Sequence, residues 1–321
     1  MIRGYLARMT GFQSPLTPFL AQQRFVVLDG GLATELERRG HDLNDRLWSA
    51  RLLIERPDAI RAVHLDYFRA GADIAVTASY QASFEGLAAR GLSGAKAEAV
   101  LTRSVTLARE ARDEFQSESD DPRRLPPLVA ASIGAYGATL GDGSEYTGLY
   151  PATDRQLRAF HAARLDVLTA AGPDLLACET IPSRREAEVL ADLLEERSGL
   201  PGWISFTGKD AKHVADGTPF AELVRSLGQA RSVVALGLNC TPPHWIAPLL
   251  ESAGDSGEKP FVVYPNAGSS WDAKAKQWNG EEAGESIPRL VDRWCDLGAR
   301  VIGGCCRTTP DTIRGIRERL H

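Results

Sequence analysis

Three of the five cysteines in this 321-residue chain, Cys240, Cys305 and Cys306, close two short apolar runs, VVALGLNC (233–240) and ARVIGGCC (299–306). Thiolates bind zinc tightly at ~2.3 Å, and three protein thiolates leave a fourth position open for a substrate. Cys240 and Cys305 stand far outside the close spacing of zinc fingers, so only a fold that brings the ends of the two runs together makes a site. Cys305 and Cys306 are adjacent and would point to opposite faces of a regular strand. For both to ligate one ion the backbone must leave the strand, and Gly303-Gly304 supplies that freedom. A buried free cysteine, or a redox-sensing disulfide between Cys305 and Cys306, are the other readings of these residues. Cys178 and Cys295 read as core residues. The six histidines form no metal spacing. His64 and His161 fall in helical stretches and read as solvent-facing.

Asp29 and Glu179 also follow apolar runs, FVVLD (25–29) and DLLACET (174–180). A pair of carboxylates in a dry site can grip an ammonium group. General acid–base work in a glycosidase is the alternative, although a cysteine-rich rim is unusual for that reaction. Asp29-Gly30 is also an ordinary turn pair.

Eight short apolar, β-branched runs organise the chain: the four above together with DIAVTAS (73–79), PLVAASI (127–133), GWISFT (202–207) and PFVVYPN (260–266). Continuous runs without polar alternation suit strands buried on both faces, as in a parallel sheet. Helical stretches lie between them. Asp154–Ala171 places Leu157, Phe160, Ala163, Val167 and Ala171 on one stripe. Thr153 with Gln156, and Ser183 with Glu186, have the spacing of capping boxes. Thr218-Pro219, Thr241-Pro242 and Thr309-Pro310 read as helix starts, with the hydroxyl capping and the proline first in the helix.

Eight strand–helix units in about 300 residues predict one (β/α)8 barrel, with a doubly wound sheet as the alternative. No glycine-rich phosphate loop follows the first strand. In a barrel the chemistry sits at the C-terminal ends of the strands, and Asp29, Thr77, Ser132, Glu179, Thr207, Asn239, Cys240, Asn266, Cys305 and Cys306 stand there. The 267–284 segment reads as a long loop after the seventh strand and 117–127 as a surface loop. Residues 1–24, with Arg3, Arg8 and Arg24 unopposed by acids, read as a loosely ordered extension before a barrel domain over 25–321.

The composition is ordinary for a globular protein, with 43% apolar and 25% charged residues and a formal charge of −5. A mildly acidic chain has no electrostatic footprint for nucleic acid or an anionic membrane. The longest uncharged window, 232–250, holds three prolines and cannot be a membrane helix. Five cysteines suit a reducing compartment, hence the cytoplasm.

The segments LDGGLATELERRG (28–40), HLDYFRAGADIAVTASYQAS (64–83), DGSEYTGLYP (142–151), LLACETIPS (175–183), GLNCTPP (237–243), VVYPNAG (262–268) and VIGGCCRTTP (301–310) resemble the homocysteine S-methyltransferase family of zinc-dependent (β/α)8 barrels. The resemblance covers nearly everything from Phe25 onward. It implies that Cys240, Cys305 and Cys306 bind one zinc ion, that Asp29 and Glu179 bind the amino group of homocysteine, and that Thr77 and Asn239 lie near that amino acid. It implies transfer of a methyl group from a positively charged donor to the homocysteine thiol, giving methionine. S-methylmethionine is the expected donor and S-adenosylmethionine the poorer one. The chain ends soon after Cys306 and shows no cobalamin or folate domain, which turns the expectation away from betaine and folate donors. Tyr146, Tyr150, Trp271 and Trp278 are candidate aromatic faces for a sulfonium. Ala267-Gly268-Ser269-Ser270 stands where many relatives carry an acid after the YPN segment.

Overall fold

The computed structural model describes residues 14–45, 47–118, 121–255, 257–268, 270–272, 277–279 and 287–320. All eight expected strands form: β1 (Val26–Val27), β2 (Ile74–Val76), β3 (Leu128–Gly134), β4 (Leu175–Ile181), β5 (Gly202–Phe206), β6 (Val233–Asn239), β7 (Phe261–Tyr264) and, after a small hairpin β8 (Ser270–Asp272)–β9 (Gln277–Asn279), β10 (Ala299–Ile302). The eight-stranded sheet is parallel throughout, in the order β1-β10-β7-β6-β5-β4-β3-β2. A parallel bridge between Leu28 and Ile74, with Asp73 N–H donating to Val27 O at 2.7 Å, joins β1 to β2 and closes the ring. The fold is therefore the barrel and not the open sheet.

Every residue of β4 and β6 is buried, as the unbroken apolar runs require of strands covered on both faces. Successive side chains go to two different cores. Val26, Leu28, Ile74, Ala130, Leu175, Ala177, Trp203, Ala235, Val262 and Val301 fill the barrel interior. Val27, Ala75, Val129, Leu176, Cys178, Ile204, Leu236 and Val263 pack under the helices.

Residues 14–24 differ from the expected loose extension. A helix over Thr17–Gln23 sends Leu16 and Phe19, 1% and 2% exposed, into the interior cluster at the N-terminal end of the barrel. Pro18 is tolerated because it stands in the first turn, where no intrahelical donor is needed. Residues 1–13 lie outside the described residues.

The Asp154–Ala170 helix opens with the full Thr153–Gln156 capping box, an arrangement that stabilises a helix by about 1 kcal/mol. Its buried face is rotated from the predicted stripe. Leu157, Phe160, His161, Arg164, Leu165 and Leu168 face inward, while Ala163 is exposed. Arg164 is buried because its guanidinium donates to the carbonyls of Gly134, Ser79 and Tyr80 at 2.8–3.1 Å. His161 and His64, expected at the surface, are both 0% exposed. His161 meets Glu186 at 2.7 Å, which takes that acid out of the second capping box; Ser183 still caps the Glu186 N–H. Pro219 and Pro242 occupy the cap position itself, so neither Thr218 nor Thr241 caps its helix. Pro310 does begin the last helix, as expected. The 267–284 segment contains the β8–β9 hairpin, and 117–127 begins within the long Ala95–Glu118 helix.

Candidate metal centre and substrate cavity

The C-terminal rim of the barrel brings the three cysteines together. Their sulfurs all lie within 4.8 Å of one another, the one such group able to hold a metal among the described residues. Cys306 Sγ is 3.8 Å from Cys240 Sγ and 4.0 Å from Cys305 Sγ. Thiolates on one tetrahedral ion with ~2.3 Å bonds stand ~3.8 Å apart, so these two spacings fit a shared metal. Cys240 and Cys305 are in bonding contact as a pair, and holding a metal requires that pair reduced. The disulfide expected as an alternative, between Cys305 and Cys306, does not form. Burial and the Glu179 charge push the Cys306 thiol up to about 12, so a cation is needed to hold it as a thiolate near neutral pH.

The local backbone explains why three thiols converge. Cys240 takes a left-handed φ of 46° immediately after β6, turning its side chain off the strand direction. Such a conformation is costly for a residue with a Cβ and is held here by its surroundings. The Cys240 N–H donates to Tyr264 O at 3.2 Å, and Asn266 Nδ2 reaches Cys240 O at 3.3 Å. Cys305 and Cys306 leave the strand in a turn, with Thr308 N–H returning to Cys305 O at 3.1 Å and a left-handed φ of 63° at Arg307. Gly303 and Gly304 serve close approach and not a left-handed turn. A Cβ at Gly303 would lie 2.5 Å from Leu28 Cβ, and one at Gly304 would lie 2.3 Å from Thr308 Oγ1.

The thiols open into a cavity of about 1010 Å3. Asp29, Thr77 and Glu179 line it together with Cys240, Cys305 and Cys306. Asp29 is 4% exposed and receives the Val76 N–H at 2.9 Å; burial, then the Glu179 charge, hold its carboxyl well above the usual carboxylate range. Glu179 is 8% exposed, receives the Ser132 hydroxyl and meets the Tyr264 hydroxyl, and burial pushes it up to about 7. Neither acid has a cationic partner among the described residues. Thr77 Oγ1 receives the Ser132 N–H at 3.0 Å and pairs with Ser79 Oγ at 2.8 Å.

Asn239 does not line the cavity. Its amide is engaged by the Thr180 N–H, the Thr180 hydroxyl and Ser205 at 2.7–2.9 Å. It joins β4 to β6 and so fixes Glu179 relative to Cys240 from behind the cavity wall. Ser132 acts on Glu179 in the same way. Thr207 and Asn266 hold the Cys240 carbonyl from two sides. Cys178 is buried in the helix-facing core, and Cys295 packs half-buried at its edge.

Of the aromatic candidates, Tyr146 lines the cavity. Tyr150 instead donates to Glu186 and packs on Tyr136. The side chains of Trp271 and Trp278 lie outside the described residues. Sequence reasoning missed Trp48 and Tyr80, an edge-to-face pair 6.4 Å apart in the cavity wall, and Tyr264 beside Glu179. Tyr264 was legible as a strand-end residue of β7; the other two depend on loops whose course only packing decides. Sequence reasoning also missed the charge of the wall. Asp29, Glu37, Asp42, Asp45, Glu145 and Glu179 line the cavity with His41, and among the described residues no lysine or arginine does.

A family model described as homocysteine S-methyltransferase matches residues 26–320. The chain is 50% identical over 304 residues to homocysteine S-methyltransferase YbgG of Bacillus subtilis, covering 94% of this chain and 96% of that protein. It is 47% identical to a selenocysteine methyltransferase of Astragalus bisulcatus, covering 96% of each. The metallated form of the homocysteine methyltransferase MmuM of Escherichia coli superposes with a TM-score of 0.86 at 44% identity, covering 95% of this chain and 100% of that one.

Proposed function

From its place in the homocysteine S-methyltransferase family, to which this chain belongs, we propose that the protein moves a methyl group from a sulfonium donor to homocysteine, S-methylmethionine being preferred to S-adenosylmethionine. The products are methionine and the demethylated sulfide. Cys240, Cys305 and Cys306 would hold one zinc ion, since a set of three thiolates is the donor chemistry zinc takes. A zinc ion bound there would supply the charge that lowers a thiol pKa and keeps the acceptor sulfur anionic near neutral pH.

The remaining work falls to the chain itself. Asp29 and Glu179, buried side by side without a cationic partner, would ionise together around the ammonium group of homocysteine. Ser132 and Tyr264 orient Glu179, and Val76 N–H orients Asp29. With the amino acid anchored by its nitrogen, the thiol end is directed toward the cysteines. In the transfer, the new carbon–sulfur bond forms in line as the donor's carbon–sulfonium bond breaks, and the electron pair stays on the departing sulfide. Positive charge is consumed, so no general acid or base acts at that step, and positioning supplies much of the rate. Trp48, Tyr80 and Tyr146 offer aromatic faces to the sulfonium. Three ligand thiols also require a reducing compartment, so we place the protein in the cytoplasm.

The single observation that carries this reading is the convergence of three thiols and two unpaired buried acids in a cavity walled by carboxylates. Its test is methionine formation by metal-quantified protein from homocysteine with S-methylmethionine, S-adenosylmethionine and betaine supplied separately. Turnover fastest with S-methylmethionine is expected. Methionine from betaine alone, or from none of the three with one zinc per chain, would overturn the donor assignment.

A further inference from the structure

A third buried acid faces the same cavity and has no part in holding homocysteine. Glu145 lies in a short turn, Ser144–Tyr146, between β3 and the Asp154–Ala170 helix. It is 8% exposed, and its Oε2 is buried without a hydrogen-bond partner. The turn is fixed from within: Ser144 N–H donates to Asp142 at 3.0 Å, Tyr146 N–H to Gly143 O at 3.0 Å, and Gly148 N–H to Ser144 O at 2.8 Å. Gly137 packs so closely beneath it that an added Cβ would lie 2.7 Å from Glu145 N. The carboxylate is therefore held rigidly in the wall, within electrostatic reach of Cys306, Tyr80 and Tyr146.

A buried, unsatisfied carboxylate oxygen is costly unless a ligand completes it. Burial pushes Glu145 up to about 7, and it lacks the hydroxyl donors that Ser132 and Tyr264 give Glu179. The missing partner is an N–H donor, because an oxygen without a hydrogen bond is satisfied by an ammonium and not by the methyl groups of a sulfonium. Asp29 and Glu179 already form the pair suited to one ammonium. An α-amino acid donor brings a second one into a cavity whose described wall holds no lysine or arginine.

We propose that Glu145 binds the α-ammonium group of the methyl donor and thereby selects an amino acid sulfonium. This rests on the methyl transfer set out above. With the nitrogen held at Glu145, the donor's sulfonium is directed toward Tyr146 and the thiols.

The test compares zinc-loaded wild type with E145Q, using S-methylmethionine and its N-acetyl derivative, which keeps the sulfonium and lacks the ammonium. E145Q is expected to raise the KM for S-methylmethionine roughly ten- to hundred-fold, the range for a lost charge-assisted hydrogen bond. The KM for homocysteine and the zinc content stay within about two-fold, and the acetylated donor is handled alike by both proteins. An unchanged KM for S-methylmethionine overturns the assignment, as does an equal loss with both donors. Calorimetry on the wild type alone needs no variant. Tighter binding of S-methylmethionine than of its acetyl derivative supports the proposal, and equal binding overturns it. Absence of turnover in the wild type with any donor would sink the parent reading instead.

Discussion

At the N-terminal end of the barrel Asp73, 1% exposed, is held by Arg317 Nη1 at 2.9 Å, Gln23 Nε2 at 2.6 Å and Val27 N–H at 2.9 Å. At the C-terminal end Asp29, Glu179 and Glu145 are buried too, yet no cation among the described residues answers any of them. The first end shows what a buried carboxylate looks like when its purpose is to hold a strand to the Pro310–Leu320 helix. The second shows acids whose solvation was removed and which meet no counter-charge among the described residues. The difference separates architecture from ligand recognition: only the second end needs something from outside to complete it.

The largest expected effect breaks the functional end alone. Cys240→Ala, Cys305→Ala or Cys306→Ala should each abolish metal binding and lower turnover about a thousand-fold or more, the scale of several kcal/mol of lost metal assistance. Circular dichroism should show the barrel intact. A single variant with full metal and full activity removes that cysteine from the site. Next, D29N and E179Q should raise the KM for homocysteine about ten- to hundred-fold in steady-state kinetics, without lowering thermal stability. At the other end D73N should do the reverse. It should cost about 2–3 kcal/mol in denaturant unfolding, less than a fully buried pair because Arg317 is 23% exposed, with KM unchanged.

A smaller effect comes from pH. Glu179 is raised from 4.5 to about 7, so the native state binds the extra proton across that window. The contribution of Glu179 to the stability of the ligand-free protein therefore falls as pH rises from 4.5 toward 7, by about 3 kcal/mol at most, and levels above. E179Q should make that slope shallower in urea titrations, leaving the shares of Asp29 and Glu145. Cys295→Ser should change neither metal content nor turnover, since this residue packs at the edge of the core.

The two ends also differed in how far the sequence disclosed them. The eight strands are written in unbroken apolar runs, and the polar residues that end them mark the rim without further information. Cys240, Cys305, Cys306, Asp29 and Glu179 were legible for that reason, although only the strand order β10-β7-β6 brings the ends of β6 and β10 together. Asn239 was legible as a strand-end residue but not as the tie between β4 and β6, because amide orientation is decided by Thr180 and Ser205. His64 and His161 were misread because a polar residue on a helix reads as solvent-facing, whereas His161 is buried against Glu186. Leu16 and Phe19 were hidden by neighbouring prolines that break a periodic pattern yet permit a short helix. Glu145 carried no signal of its own: its burial follows from the packing of the turn against Gly137.

The account's central claim is that three thiols and the acids before them form one metal-dependent site. The most direct test strips the metal with a chelator under reducing conditions and follows methionine formation from homocysteine and S-methylmethionine as zinc is returned. Activity should be lost with the metal and rise linearly to a plateau at one zinc per chain. Full turnover by protein shown to hold no metal would contradict the claim.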